Sequence, residues 1–184
     1  MPHTSIDTEA HWTKSGWHGW IYGWKLYLIT TVAAVWILLA AELTAANAAD
    51  NVQALPLVKH LPAVEDDGPR FLLGDVLDND PDIRAMCEAL GRLLVTPQRG
   101  RYPHRDLGIG VRRIFERLRP QASENFNGQF KAIFNCLGRA PTRGLVATRR
   151  YVLGTVLVYQ LALLHCYETK GDLRGGRQPF LQAA

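Results

Sequence analysis

The sequence predicts an all-α protein with an N-terminal signal or anchor helix, an extended proline-bearing arm and a small bundle of about four helices. Three observations support this fold class. An uncharged apolar run lies near the N-terminus, apolar residues recur at helical spacing after residue 80, and little of the chain alternates apolar with polar residues as a half-buried sheet would. The predicted segments are 1–48, 49–79 and 80–184, the last ending in a short C-terminal tail.

The first segment has the features of an export signal. Sixteen uncharged residues, Leu26–Ala41, follow Lys25 and lead to Ala46-Asn47-Ala48, a spacing of small residues that signal peptidases cleave. The run is either a cleavable signal peptide or a retained anchor of about the length that crosses a ~30 Å hydrocarbon layer. In both cases lysines precede the run, so that side stays cytoplasmic and the rest is expected in the periplasm, associated with the inner membrane.

The second segment predicts an extended arm. Residues 49–70 show little helical periodicity and contain Pro56, Pro62 and Pro69, which interrupt regular structure. The stretch Asp50–Asp82 holds eight acidic and two basic residues, a net charge of −6. The arm is therefore expected to be acidic and to be ordered by contact with another protein.

Four helices are expected in the third segment. Asp80-Pro81 has the pattern of an N-cap followed by proline in the first turn, and an apolar stripe then continues towards Pro97. Asp106, Ser123 and Thr142 are candidate starts of the other three, of which the last is expected to run to about Glu168. The stripe of the first helix consists of Ile83, Met86, Cys87, Leu90, Leu93 and Leu94.

The fourth helix differs from the others in composition. Tyr151–Tyr167 contains 17 residues without a formal charge, so it is either the centre of a bundle or a short membrane span. Its length and polar residues favour a buried central helix. The membrane-span interpretation would make the chain a two-pass component of a secretion, conjugation or transport machine.

The charge pattern predicts a partner surface. Arg84–Arg150 holds fourteen basic and four acidic residues, a net charge of +10, and the whole chain has a pI of about 9.1. Apolar arm residues would bury against a larger envelope subunit, while arginines set orientation, and a membrane surface is a second candidate partner. Export argues against nucleic acid. The predicted partner-binding residues are Leu55, Leu57, Val58, Leu61, Arg112, Arg113 and Arg117.

No catalytic, cofactor or metal site is predicted. Asp78–Asp82 resembles the start of a calcium loop but lacks its glycine and its final glutamate, and C-x-x-C-H and G-x-S-x-G are both absent. Of the three cysteines, Cys87 is expected either to pair with Cys136 or Cys166, or to be one of three buried thiols.

In plan, a leader followed by a small helical domain without a cofactor resembles the small accessory subunits of periplasmic quinoprotein dehydrogenases. Small components of secretion and conjugation machines share this plan. No motif carries the resemblance, so no residue is transferred from either group. The expected function is that of a non-catalytic accessory or scaffolding subunit in a larger periplasmic or membrane-associated complex.

Overall fold

The computed structural model describes residues 7–16, 19–32, 37–74, 80–96, 113–114, 117–118, 128, 130–131, 134 and 140–170. The chain divides into two compact units. Unit 1 comprises Met1–Leu28, Ala41–Ala48 and Asn127–Ala184, and unit 2 comprises Ile29–Ala40 and Ala49–Phe126. The described residues include two β-sheets as well as helices, so the all-α prediction is wrong.

The N-terminal region forms a three-stranded sheet in the order β1-β2-β3, with β1 at His11–Ser15, β2 at Gly19–Thr30 and β3 at Leu38–Ala45. Strands β1 and β2 are antiparallel, and Trp12 lies opposite Tyr22 with ring centroids 5.1 Å apart. The predicted signal or anchor helix is therefore wrong as a structural element. Aromatic and β-branched residues, which favour strands, are frequent in β2, and an uncharged run alone does not distinguish a strand from a helix.

Helix α1, Asp50–Lys59, occupies about a third of segment 49–79, which was predicted to be an extended arm. Pro56 lies inside this helix, where its missing N–H and its ring cost about 3 kcal/mol. Burial of Leu57 and Val58 offsets that cost, which the local sequence does not reveal. A 3-10 turn at Val64–Asp66 and a short strand β4, Phe71–Leu73, follow. The prediction of an extended arm is wrong.

Helix α2, Pro81–Ala89, connects β4 to the parallel strand β5, Leu93–Val95. The predicted N-cap is confirmed, since the Asp80 carboxylate accepts a hydrogen bond from the backbone N–H of Asp82 at 2.8 Å. The predicted continuation towards Pro97 is wrong. Gly91, at φ +68°, is followed by an Arg92 N–H that bonds the Cys87 carbonyl at 2.8 Å, an arrangement that ends a helix.

The core of unit 2 lies between these elements. It combines side chains of α1, α2 and the two short strands with one residue that follows α1. Because a parallel pair of strands needs a crossover connection and a covered face, the amphipathic helix α2 serves both purposes. The buried cluster consists of Val58, Leu61, Leu72, Ile83, Cys87 and Leu94.

Helix α3, Leu145–Lys170, belongs to unit 1 and corresponds to the predicted fourth helix. The predicted second and third helices fall largely outside the described residues; the few that are described, among them Ile114 and Phe130, are helical. No helix in the described part of the chain has both the length and the apolarity that crossing a membrane requires. The prediction that the chain is transmembrane is contradicted by this finding.

Candidate interaction surface

The N-terminus of α3 is fixed by two carboxylates from the beginning of the chain. Asp7 accepts a hydrogen bond from the N–H of Gly144 at 2.8 Å, and Glu9 accepts one from the N–H of Leu145. The first N–H groups of a helix have no partner within the helix, and the positive end of its dipole attracts anions. Both carboxylates therefore stabilise the start of α3 across more than 130 residues of sequence.

One side of α3 packs into unit 1. Tyr159 is fully buried there, and its ring meets that of Phe130 edge to face with centroids 6.3 Å apart. Thr155 satisfies its hydroxyl within the helix by donating to the Val152 carbonyl at 2.6 Å. The buried side chains of this face are Thr148, Thr155, Tyr159, Leu163 and Cys166.

The opposite side of α3 is apolar and exposed. Leu157, Leu161 and Leu164 expose 58, 55 and 52% of their surface, and Val158 exposes 47%. Together with the exposed Gly154 they form a stripe, called the outer stripe below. At 100° per residue its members lie within about 60° of Leu161, roughly opposite the buried face. The prediction of a helix buried on all sides is therefore wrong.

The area of the outer stripe decides how it is interpreted. Four half-exposed large side chains leave on the order of 400 Å² of contiguous apolar surface, within the size range of the largest and often functional patches of monomeric proteins. Surface leucines are common when scattered. Three leucines and a valine along one face of one helix are not scattered, so this surface has the character of a contact site.

Charged residues lie at both ends of the outer stripe. Arg150 and Glu168 are exposed and lie within about 20° of Leu161 around the helix axis. The neighbouring Arg149 forms an ion pair with Glu42. The apolar stretch is thus bounded by a cation near the helix start and an anion near its end.

The sequence-predicted contact residues occupy different places. Leu57, Val58 and Leu61 are buried, and Leu55 is partly buried against the core of unit 2. This placement does not test their predicted role in binding a partner, but it leaves Leu57, Val58 and Leu61 with little exposed surface. Arg113 and Arg117 are exposed, whereas Arg112 lies outside the described residues.

Unit 2 contains two buried side chains of types that often take part in binding or catalysis, Arg92 and Cys87. The contacts of both indicate a structural role. Arg92 is 4% exposed and donates to the backbone carbonyls of Pro69 at 2.5 Å, Leu61 at 3.4 Å and Pro62, which fixes the loop before β4. Cys87 is a free thiol and fully buried, and burial raises its pKa. A buried thiol with a raised pKa is a poor nucleophile.

The predicted pairing of Cys87 is wrong, because Cys87 and Cys166 are both free and buried, and Cys136 falls outside the described residues. Among the residues that the structure describes, no group of three or more histidine, cysteine or acidic side chains is placed to hold a metal ion. Of the calcium-like segment, Asp78 and Asn79 lie outside the described residues, and Asp80 is occupied as the N-cap of α2.

No protein-family model, no curated protein and no solved structure matches this chain. The outer stripe is therefore assessed on its own geometry. The sequence shows that Tyr151–Tyr167 is uncharged. Its hydrophobicity does not show which side of the helix is buried and which is exposed, because a helix that is apolar all round has no preferred face. The alternation of three- and four-residue steps from Gly154 to Leu164 is the signal that the sequence offers for this stripe.

Proposed function

We propose that this chain is a non-catalytic scaffolding subunit that is held in a larger assembly through the outer stripe of α3. The outer stripe is the observation that carries the proposal, since three leucines on one face of a described helix remain more than half exposed. Removing ~400 Å² of apolar surface per chain from water contributes about 10 kcal/mol before the costs of association. That magnitude lies within the range of those costs, so the stripe favours an assembly of modest stability.

The rigid placement of α3 supports the same function. Two carboxylates fix its first turn, and Tyr159 and Leu163 fix its inner face. A helix held in this way presents its outer side chains without first having to be ordered, which lowers the cost of binding. This property is typical of a docking element.

The arginines predicted to orient a partner remain part of this proposal. Arg113 and Arg117 are exposed, and exposed basic side chains accelerate encounter with an acidic partner. Replacing both with glutamate should slow assembly with an acidic partner at low salt and have little effect at high salt. Lys131→Glu, at another exposed cation, is the matched control.

The location stays a proposal from the sequence, namely the periplasm in association with the inner membrane. The contacts in unit 1 add one requirement. Cleavage after Ala48 would remove β1, β2 and β3 together with Asp7 and Glu9. We therefore expect the functional chain to retain residues 7–48, and intact mass measured on protein from its native host tests this. A chain that begins near Ala49 would contradict it.

The experiment that tests the function compares, in extracts of the native host, the native mass of the full chain with that of a Leu157→Ser/Leu161→Ser variant. The wild type should be recovered in an assembly that the variant no longer enters, with equal helix content by circular dichroism. Tyr167→Ser is the control, because Tyr167 is 58% exposed but lies about 120° around the helix from Leu161. Equal masses for wild type and the double variant would refute the proposal.

A further inference from the structure

We infer that the partner of the outer stripe is a second copy of this chain, whose helix α3 packs antiparallel to the first with the level of Tyr159 as the midpoint. This inference rests on the proposed function and names its partner. Gly154, Leu157, Leu161 and Leu164 follow one another at steps of three, four and three residues. Alternating steps of this kind place side chains along a seam between two nearly parallel or antiparallel helices.

The four seam positions of the stripe are symmetric about the level of Tyr159 along the helix. Leu157 and Leu161 are equally distant from it, as are Gly154 and Leu164, and so are Arg150 and Glu168. In a two-fold interface each residue meets a residue that meets it in return. An antiparallel pair centred at this level therefore places Leu157 against Leu161 of the second copy twice, and every layer of the seam is matched.

Charge selects the antiparallel arrangement. With the midpoint at the level of Tyr159, Arg150 of each copy lies beside Glu168 of the other, so opposite charges close both ends of the apolar seam. A parallel pair in register would instead place arginine beside arginine and glutamate beside glutamate. Like charges at facing positions are destabilising. Both side chains are exposed and so available for this contact.

The layer that pairs Gly154 with Leu164 of the second copy accounts for the glycine in this helix. Glycine inside a helix is destabilising relative to alanine, so its presence within α3 calls for a close approach. A Cβ at Gly154 would meet nothing within 4 Å, which means that the space above it is open. In the antiparallel pair Leu164 of the second copy lies over this notch, a large side chain against the smallest.

The size of the stripe fits a modest dimer. On the order of 400 Å² per copy lies below the ~800 Å² per partner of a standard stable interface. Association through the outer stripe is therefore expected to depend on concentration over the range accessible to sedimentation. A tight dimer at all concentrations would require further contacts.

Disulfide trapping tests the orientation. Full-length Arg150→Cys and Glu168→Cys chains, distinguished by a tag, are mixed and oxidised. The antiparallel pair predicts a disulfide that joins one variant to the other and little homotypic product, because equal positions lie about 27 Å apart at 1.5 Å rise per residue. Homotypic disulfides as the main product would overturn the orientation. Wild-type chain oxidised in parallel controls for the native cysteines, two of which are buried.

Charge exchange tests the identity of the partner. Arg150→Glu should weaken self-association roughly tenfold, because each dimer loses two attractive pairs and gains two repulsive ones. The Arg150→Glu/Glu168→Arg chain should recover it, since both pairs are restored in reverse. Only a second copy carries the compensating change, so failure of the double variant to recover would overturn the inference.

A steric change gives an independent test. Gly154→Leu adds apolar surface but fills the notch, so the antiparallel pair predicts loss of self-association with unchanged or higher helix content. Stronger self-association would contradict the seam. Gly23→Ala, at another glycine with open space around its Cβ but on β2, is a control for glycine replacement in general.

One outcome separates this inference from the function, and two others overturn both. A chain that is monomeric alone, yet loses a defined heterologous partner in Leu157→Ser/Leu161→Ser, would overturn the second copy and leave the scaffolding role standing. A monomer that instead sediments with anionic lipid vesicles through the same leucines would assign the stripe to a membrane surface and overturn both. Monomeric behaviour with no effect of these substitutions would also overturn both.

Discussion

The contact between the start of the chain and the start of α3 yields the most quantitative prediction. Asp7 and Glu9 each accept a hydrogen bond from an N–H group that has no helical partner, at Gly144 and Leu145. Losing one such cap costs about 1 kcal/mol, so Asp7→Ala/Glu9→Ala should lower the free energy of unfolding of unit 1 by about 2 kcal/mol. For a chain of this size that corresponds to a fall in Tm of roughly 4–8 °C.

The assay is urea and thermal unfolding followed by circular dichroism, because α3 is the longest described helix and dominates the helical signal of unit 1. Asp7→Asn/Glu9→Gln is the matched control. It retains the acceptor oxygens and loses only the interaction of charge with the helix dipole, about 0.3–1 kcal/mol for each group. A double alanine variant as stable as wild type would show that these carboxylates do not cap α3 and would refute the reasoning.

Three further predictions concern unit 2. The amide of Asn51, together with the N–H of Asp82, lowers the pKa of Asp80 below its ordinary 3.8, so this cap stabilises the fold above that pH and ceases to do so as the pH falls through the lowered pKa. The difference in stability between wild type and Asp80→Ala should therefore vanish in acid, and a difference that persists there would contradict this. Burial raises the pKa of Cys87, so peptide-resolved iodoacetamide labelling should be slow in native protein and fast in urea, and rapid native labelling would show that the thiol is accessible. Arg92→Leu should cost roughly 3 kcal/mol in urea unfolding, because it leaves several buried carbonyls without a donor; an Arg92→Leu chain of unchanged stability would show that the buried guanidinium does not hold the loop.

Local signals in the sequence correctly predicted two helices. Asp80-Pro81 begins α2 as a capped helix, and the uncharged stretch from Tyr151 lies within α3. Both depend on features that act within a few residues, namely a cap and a run of helix-compatible apolar side chains. Such features keep their meaning in most tertiary contexts.

The strands and α1 could not be predicted in the same way. The run Leu26–Ala41 has no charge and no clear period, so the strand structure of its two ends, in β2 and β3, depends on pairing with residues elsewhere in the chain. Pro56 is a signal against the helix in which it lies. The helix forms nevertheless, because burial of the neighbouring side chains in the core outweighs the local penalty of the proline. Gly91 is the local sign that α2 ends before Leu93, since glycine readily adopts the positive φ that closes a helix.

The sequence predicts only part of the candidate site. The composition of α3 shows that it is apolar, but which leucines face outward depends on what Tyr159 and Leu163 contact on the other side. Conversely, the sequence predicts that Val58 and Leu61 bind a partner, because a proline-bearing arm is expected to lack a core of its own. In the structure both side chains lie in the core of unit 2. A contact site made of ordinary apolar residues becomes visible only when burial is known.

The measurement that tests the central claim most directly is the native mass of the full chain by sedimentation equilibrium across a concentration series, for wild type and Leu157→Ser/Leu161→Ser side by side. The outer stripe predicts that wild type rises with concentration above the 20.6 kDa of a single chain, while the variant remains at that mass. Wild type and variant at 20.6 kDa throughout, or both in the same larger species, would contradict self-assembly through α3.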